Sequence, residues 1–104
     1  MLVALYEFKI KENMNAQFEK NWALFTDAIY RCKGSKGSRL HTTKTKNTYV
    51  AYAQWPDEDT YFSDGPDDEP YTEAELIARE KMREAVQESK VLHMMNVLDD
   101  RLKS

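Results

Sequence analysis

Thr48-Tyr49-Val50-Ala51-Tyr52-Ala53-Gln54-Trp55-Pro56 is the stretch whose reading decides the fold. It is rich in β-branched and aromatic residues, and Pro56 ends it by removing an amide donor, so it predicts a single strand. Alternation puts Tyr49, Ala51, Ala53 and Trp55 on one face and Val50, Tyr52 and Gln54 on the other. The first face carries two small side chains and then an indole at the strand's end. Under a layer of helices the alanines would leave room and the indole would form a wall, which is one way to make a pocket for a flat apolar ligand. The same residues also suit plain packing, with the alanines admitting a helix closely and Trp55 in the core.

Upstream, Leu2, Ala4, Tyr6, Phe8 and Ile10 alternate with Val3, Leu5, Glu7 and Lys9, which predicts a first strand with one strongly apolar face. A polar turn follows, in which Asn13 or Asn15 is placed to cap a helix. Met14, Phe18, Trp22, Phe25, Ile29 and Cys32 then recur every three or four residues, the stripe of an amphipathic helix that Lys33 and Gly34 terminate. Such a stripe ordinarily packs a core, and Trp22 and Phe25 on it are also candidates to line a ligand. Gly34-Ser35-Lys36-Gly37 lacks the spacing and the Lys-Ser/Thr ending of a phosphate loop and precedes a strand, so nucleotide binding is rejected there. Ser38 to Lys44 reads as an edge strand, and Thr45-Lys46-Asn47 as a hairpin turn into the central stretch.

Beyond Pro56, Asp57 to Gly65 reads as a short helix with carboxylates at its start, and Pro66 to Pro70 as an acidic loop. Thr72-Glu73-Ala74-Glu75 fits a capping box, so a second long helix starts at Thr72, with Ala74, Ile77, Ala78, Met82, Ala85 and Val86 as its stripe. Val91 to Leu98 is the last strand, with Val91, His93, Met95 and Val97 on one face. The order is β, α, β, β, short α, α, β. It predicts an α+β domain over residues 1–104: a ferredoxin-like split βαβ, with a four-stranded antiparallel sheet and both long helices on one face. The first and third strands are central in that topology. Apolar side chains on both faces of a sheet covered on only one predict a partner, most simply a second copy.

At 104 residues the chain is the size of one domain and can bury a core of its own. Cys32 is its one cysteine, so neither an internal disulfide nor a cysteine pair for zinc is available, and a reducing cytoplasm is expected. No segment has the ~18 apolar residues of a membrane span, and the N-terminus lacks the basic region of a signal peptide. Six basic residues and no acidic one lie between Arg31 and Lys46, and nine acidic residues and no basic one between Asp57 and Glu75. The basic run is short and lacks interleaved aromatics, so nucleic acid is not expected; both runs read as solvated loops and edges, complementary across any self-interface.

The chain resembles the antibiotic biosynthesis monooxygenase family, small proteins of the dimeric α/β-barrel fold. The resemblance spans nearly the whole length. It rests on a first strand followed by an aromatic helix, on Gly34-Ser35-Lys36-Gly37-Ser38-Arg39-Leu40, and on Tyr49-Val50-Ala51-Tyr52-Ala53-Gln54-Trp55-Pro56-Asp57. It implies a homodimer whose open sheet faces meet, a pocket in each subunit between sheet and helices, and a site built on Trp55, Tyr61 and Arg79. The asparagine of the family's oxygenases falls at Ala51, which has no donor. The haem-degrading branch needs an asparagine on the first strand and a histidine on the second long helix, and this chain has neither.

The expected chemistry needs neither metal nor other cofactor. His41 and His93 fall on opposite edges of the expected sheet, roughly 14 Å apart, too far to share an ion. An electron-rich phenolate can reduce oxygen itself if the pocket excludes water and donates hydrogen bonds to developing charge. The implied roles are Trp55 stacking, Tyr61 donating, Arg79 holding an anion, and Trp22, Phe25, Ala51, Ala53 and His93 lining the substrate, a small apolar or aromatic molecule. The alternative is a non-catalytic dimeric domain of the same fold that binds a small ligand or has a closed pocket. A cavity of roughly 300 Å³ or more beside Trp55 separates the two from a core filled by Trp22, Phe25 or Met82.

Overall fold

A computed structural model describes residues 1–62 and 71–102. The elements run β1 (Leu2–Ile10), α1 (Asn15–Lys33), β2 (Gly37–Thr42), β3 (Thr48–Trp55), α2 (Glu58–Phe62), α3 (Glu73–Ala85) and β4 (Val86–Asn96). The sheet is antiparallel with strand order β2-β3-β1-β4, the split βαβ arrangement the sequence predicts. Along β3, Tyr49, Ala51, Ala53 and Trp55 are buried while the residues between them are half-buried, so the strand separates its faces as its alternation requires. Register sets Leu2 opposite Trp55, Ala4 opposite Ala53, Tyr6 opposite Ala51 and Phe8 opposite Tyr49.

α1 ends as expected: Gly34 takes the left-handed conformation at φ 77° that a glycine adopts without strain. Its start differs from expectation. Met14 occupies the cap position with no side-chain cap bond, and the Asn15 amide instead donates to the Tyr49 hydroxyl at 3.1 Å. α3 begins with the capping box: Thr72 accepts from the Glu75 amide, and the Glu75 carboxylate accepts from the Thr72 amide at 2.7 Å. Its buried residues are Ala78 and Ala85, whereas Ile77, expected on the stripe, is 49% exposed.

The second long helix is shorter than the sequence suggests and the last strand longer. α3 stops at Ala85, and the chain pairs with β1 from Val86 onward. Two ion pairs across that junction, Lys9–Glu88 at 3.5 Å and Lys90–Glu7 at 3.6 Å, join residues that a helical reading would have separated. The short helix is described over Glu58–Phe62; its expected end at Gly65 and the acidic loop from Pro66 to Pro70 lie outside the described residues.

The core is divided. One buried group is Leu2, Ala4, Ala53 and Trp55, with Tyr6, Ile29 and Tyr61 against it. The other is Ile10, Phe18, Tyr49 and Ala85, with Phe8, Trp22 and Met82 among the side chains against it. Large residues thus fill both ends of the space between sheet and helices. Ala51 lies between them on the same face of β3, where its methyl group takes up little of that space.

Candidate functional site

The gap over the alanines is a cavity of about 410 Å³. Ala51 and Ala53 form its floor, Trp55 one end, and Trp22, Phe25 and Ile29 of α1 its roof. Trp22, Phe25 and Ile29 are only half-buried although they sit on the apolar stripe, because this part of the stripe faces a void. Met82 lines the cavity without filling it. The polar edge is supplied by Thr26, Ser35, Ser38, Ser89 and Lys90. A volume of this size is that of a small-ligand pocket.

A second cavity, also about 410 Å³, adjoins it, and Tyr6, Phe25, Ile29 and Trp55 line both. Lys33, Tyr61, Phe62 and Tyr71 are the other described residues that line the second lobe. At the junction the hydroxyls of Tyr6 and Tyr61 lie 2.5 Å apart. Two phenols sharing one hydrogen bond leave one O–H free to donate outward. Burial first, then the bond to Tyr61, holds the Tyr6 phenol well above its ordinary range, and burial does the same for Tyr71, so both stay protonated at neutral pH. Tyr61 stands edge-on to Trp55 with centroids 5.2 Å apart, and the Lys33 ammonium sits 5.7 Å from the centroid of the same indole. The indole N–H of Trp55 is buried with no hydrogen-bond partner among the described residues. Leaving such a donor unpaired costs about 1–3 kcal/mol.

Of the site residues expected from sequence, Trp55, Trp22, Phe25, Ala51, Ala53 and Tyr61 come together around the two lobes. Two do not. Arg79 is not among the described residues lining either lobe; its Nε is buried without a hydrogen-bond partner among the described residues, 3.6 Å from a Glu80 oxygen that also lies 3.7 Å from Arg83. His93 is on the opposite side of the sheet. It pairs with Leu5, while Val91 pairs with Tyr6, so Leu92 is the extra residue of a β-bulge. The bulge reverses the alternation: Val91 lines the cavity and His93 shares the open face with Leu5.

Sequence reasoning missed Tyr6, Lys33 and Tyr71. Tyr6 was legible as a residue of the apolar face of β1, but its place depends on being registered against Ala51. Tyr71 precedes the capping box and packs on Phe25 with centroids 5.3 Å apart. Among the described residues no three of His, Cys, Asp and Glu gather closely enough to hold a metal ion, and no helix is long and apolar enough to cross a membrane.

A scan of protein-family models and a search of curated proteins find no match to this chain. Solved structures do match. A protein from Bordetella bronchiseptica assigned as an antibiotic biosynthesis monooxygenase superposes with a TM-score of 0.73 at 18% identity, over 93% of this chain and 96% of its own. One of the same assignment from Nitrosomonas europaea gives 0.68 at 14% identity, over 95% of this chain and 100% of its own. SnoaB, a cofactor-independent oxygenase from Streptomyces nogalater, gives 0.65 at 18% identity, over 95% of this chain and 97% of its own. At these identities the likeness is one of fold, and the fold is that of structures carrying the family name to which the strand and loop motifs point.

Proposed function

We propose that this chain is an oxygenase of the antibiotic biosynthesis monooxygenase type, that it acts without a bound cofactor on a flat, electron-rich phenol or quinol, and that it works as a homodimer joined through its open sheet face. The observation that carries the reading is the cavity of about 410 Å³ with an alanine floor and an indole end wall. Its volume and largely apolar lining suit a small planar ring system. The description of SnoaB as a cofactor-independent oxygenase on the same fold supports taking the route without cofactor.

Oxygen in its ground state reacts slowly with paired-electron molecules, and an electron-rich anion overcomes this by giving up an electron itself. For an anthrone the balance is one O₂ per turnover. The ring CH₂ becomes C=O with one oxygen atom, and the other leaves as water with both hydrogens. The residues contribute three things to this step. The apolar walls exclude water from the reacting anion. Trp55 and Phe25 hold the rings by their faces and edges. The free O–H of the Tyr6–Tyr61 pair donates to the substrate oxygen where negative charge resides.

A second reading, a ligand-binding domain without turnover, is favoured by one observation: Ala51 presents a methyl group at the floor of the cavity, where a hydrogen-bonding side chain would aid chemistry. Metal-free oxygen uptake with a panel of anthrones and quinols separates the two. Turnover with quinone formed one-for-one with O₂ is expected, falling about tenfold or more in Tyr61→Phe and further in Trp55→Ala. Tight binding without uptake would establish the second reading, and the absence of both would overturn the proposal.

A further inference from the structure

We infer that the first cavity opens outward between α1 and β2, and that the groove at this mouth receives a protonated amine carried by the ligand, with Asp27 as counter-ion beside the rings of Trp22 and Tyr30. This deepens the function proposed above and rests on the first cavity holding the ring system. The groove has a volume of about 340 Å³, and Trp22, Thr26 and Ser38 line both it and the first cavity, so the two spaces join. Ala23, Asp27, Tyr30 and Gly37 are its other described lining residues, and it shares none with the second lobe. A side-chain carbon built on Gly37 meets no atom within 4 Å, so the mouth is open on its β2 side.

The sequence places these groups together. Trp22, Thr26 and Tyr30 recur every four residues and form one ridge of α1, with Ala23 and Asp27 on the next. Small side chains at Ala23, Thr26 and Ser38 leave the space, and the two rings supply aromatic surface. Trp22 is half-buried and Tyr30 is 59% exposed, so part of each ring remains for a ligand to cover. Asp27 is the one charged side chain among the described residues lining the groove. It has no ion-pair partner among the described residues, and residues 63–70 contain no lysine, arginine or histidine. Arg31, one turn along α1, is engaged by Glu75, and Lys36 lines a depression with Tyr52 and Gln54 on the other face of the sheet. A carboxylate attracts a cation by charge and a ring does so by its quadrupole, whereas neither draws a neutral group in this way.

Two anthraquinones that differ in a single group test this. Both are 1,8-dihydroxy compounds with a two-carbon arm at position 3; one arm ends in an ammonium, the other in a hydroxyl. Each is titrated against the full chain by quenching of tryptophan fluorescence at neutral pH and low salt. The amine is expected to bind about threefold to tenfold more tightly, the size of one exposed ion pair together with a cation–ring contact. Asp27→Asn should erase the difference by weakening the amine alone, and Asp27→Glu should keep it. Tyr30→Ala should reduce it about twofold. Glu84→Gln removes an equal charge from α3, away from both cavities and the groove, and should change nothing. Equal binding of the two compounds to the unmodified chain would overturn the inference while leaving the ring-binding cavity intact. So would a preference that survives Asp27→Asn, one unmoved by Tyr30→Ala, or one lost equally in Glu84→Gln. Failure of both compounds to bind would overturn the cavity reading itself, and this inference with it.

Discussion

Tyr6 and Tyr61 meet because β1 and α2 bring two phenols 55 residues apart in sequence to within 2.5 Å of each other beside Trp55. The pairing has a consequence for stability as well as for substrate. Burial and the bond to Tyr61 raise the folded-state pKa of Tyr6 above the ~10 of a free phenol, so the folded chain keeps a proton that the unfolded chain releases. The stability from this group is complete below about pH 10 and is lost as pH climbs toward the folded-state value. Urea midpoints should therefore decline above pH 10, and Tyr6→Phe should decline less steeply because it has no proton to lose. An identical alkaline slope in the two proteins would remove the protonated pair from the site. Near neutral pH Tyr6 keeps its proton, so it is not the base behind any rise of the proposed oxygenase rate with pH.

Among the elements, β3 and the start of α3 are the most legible, because each carries its signal in adjacent residues. Strict alternation along Tyr49, Ala51, Ala53 and Trp55 tells which face is buried, and Thr72 with Glu75 tells where α3 begins. The end of α3 and the path of β4 are not local in this way. Residues 86–90 continue a helical pattern well enough, and only the ladder with β1 makes them a strand. The same holds for the bulge at Leu92, a one-residue shift that sends His93 away from the cavity and Val91 toward it. The local signals carry energies that can be measured. Thr72→Ala removes the side-chain acceptor of the capping box and should lower stability by about 1 kcal/mol. Gly34→Ala forces a side chain into φ 77°, with its Cβ 3.4 Å from Thr60 Cγ2, and should cost about 1 kcal/mol or more. Denaturant midpoints of both variants equal to that of the unmodified chain would mean that neither cap holds its helix in solution.

Over the whole molecule, the helices cover one side of the sheet and leave Leu5, Val50, Tyr52 and Met95 on the other, the last 38% exposed. Four strands of about eight residues present roughly 500 Å² in projection, and the side-chain relief adds to it. That approaches the ~800 Å² per partner of a stable dimer, so pairing through this face keeps a large apolar surface out of water. The rim suits such an arrangement: Glu7 and Lys90 sit as a pair on this side, and Arg39 and His41 flank Tyr52 and Val50. Leu5→Glu, placed at the centre of the patch, would bury an unpaired carboxylate in the interface and should convert a dimer to a monomer at micromolar concentration in sedimentation equilibrium. Because the cavity lies on the helix side, the variant should still quench on addition of the aromatic ligand. A dimer unchanged by Leu5→Glu would locate the contact on another surface, and a monomeric unmodified chain would leave the apolar face without the partner proposed for it.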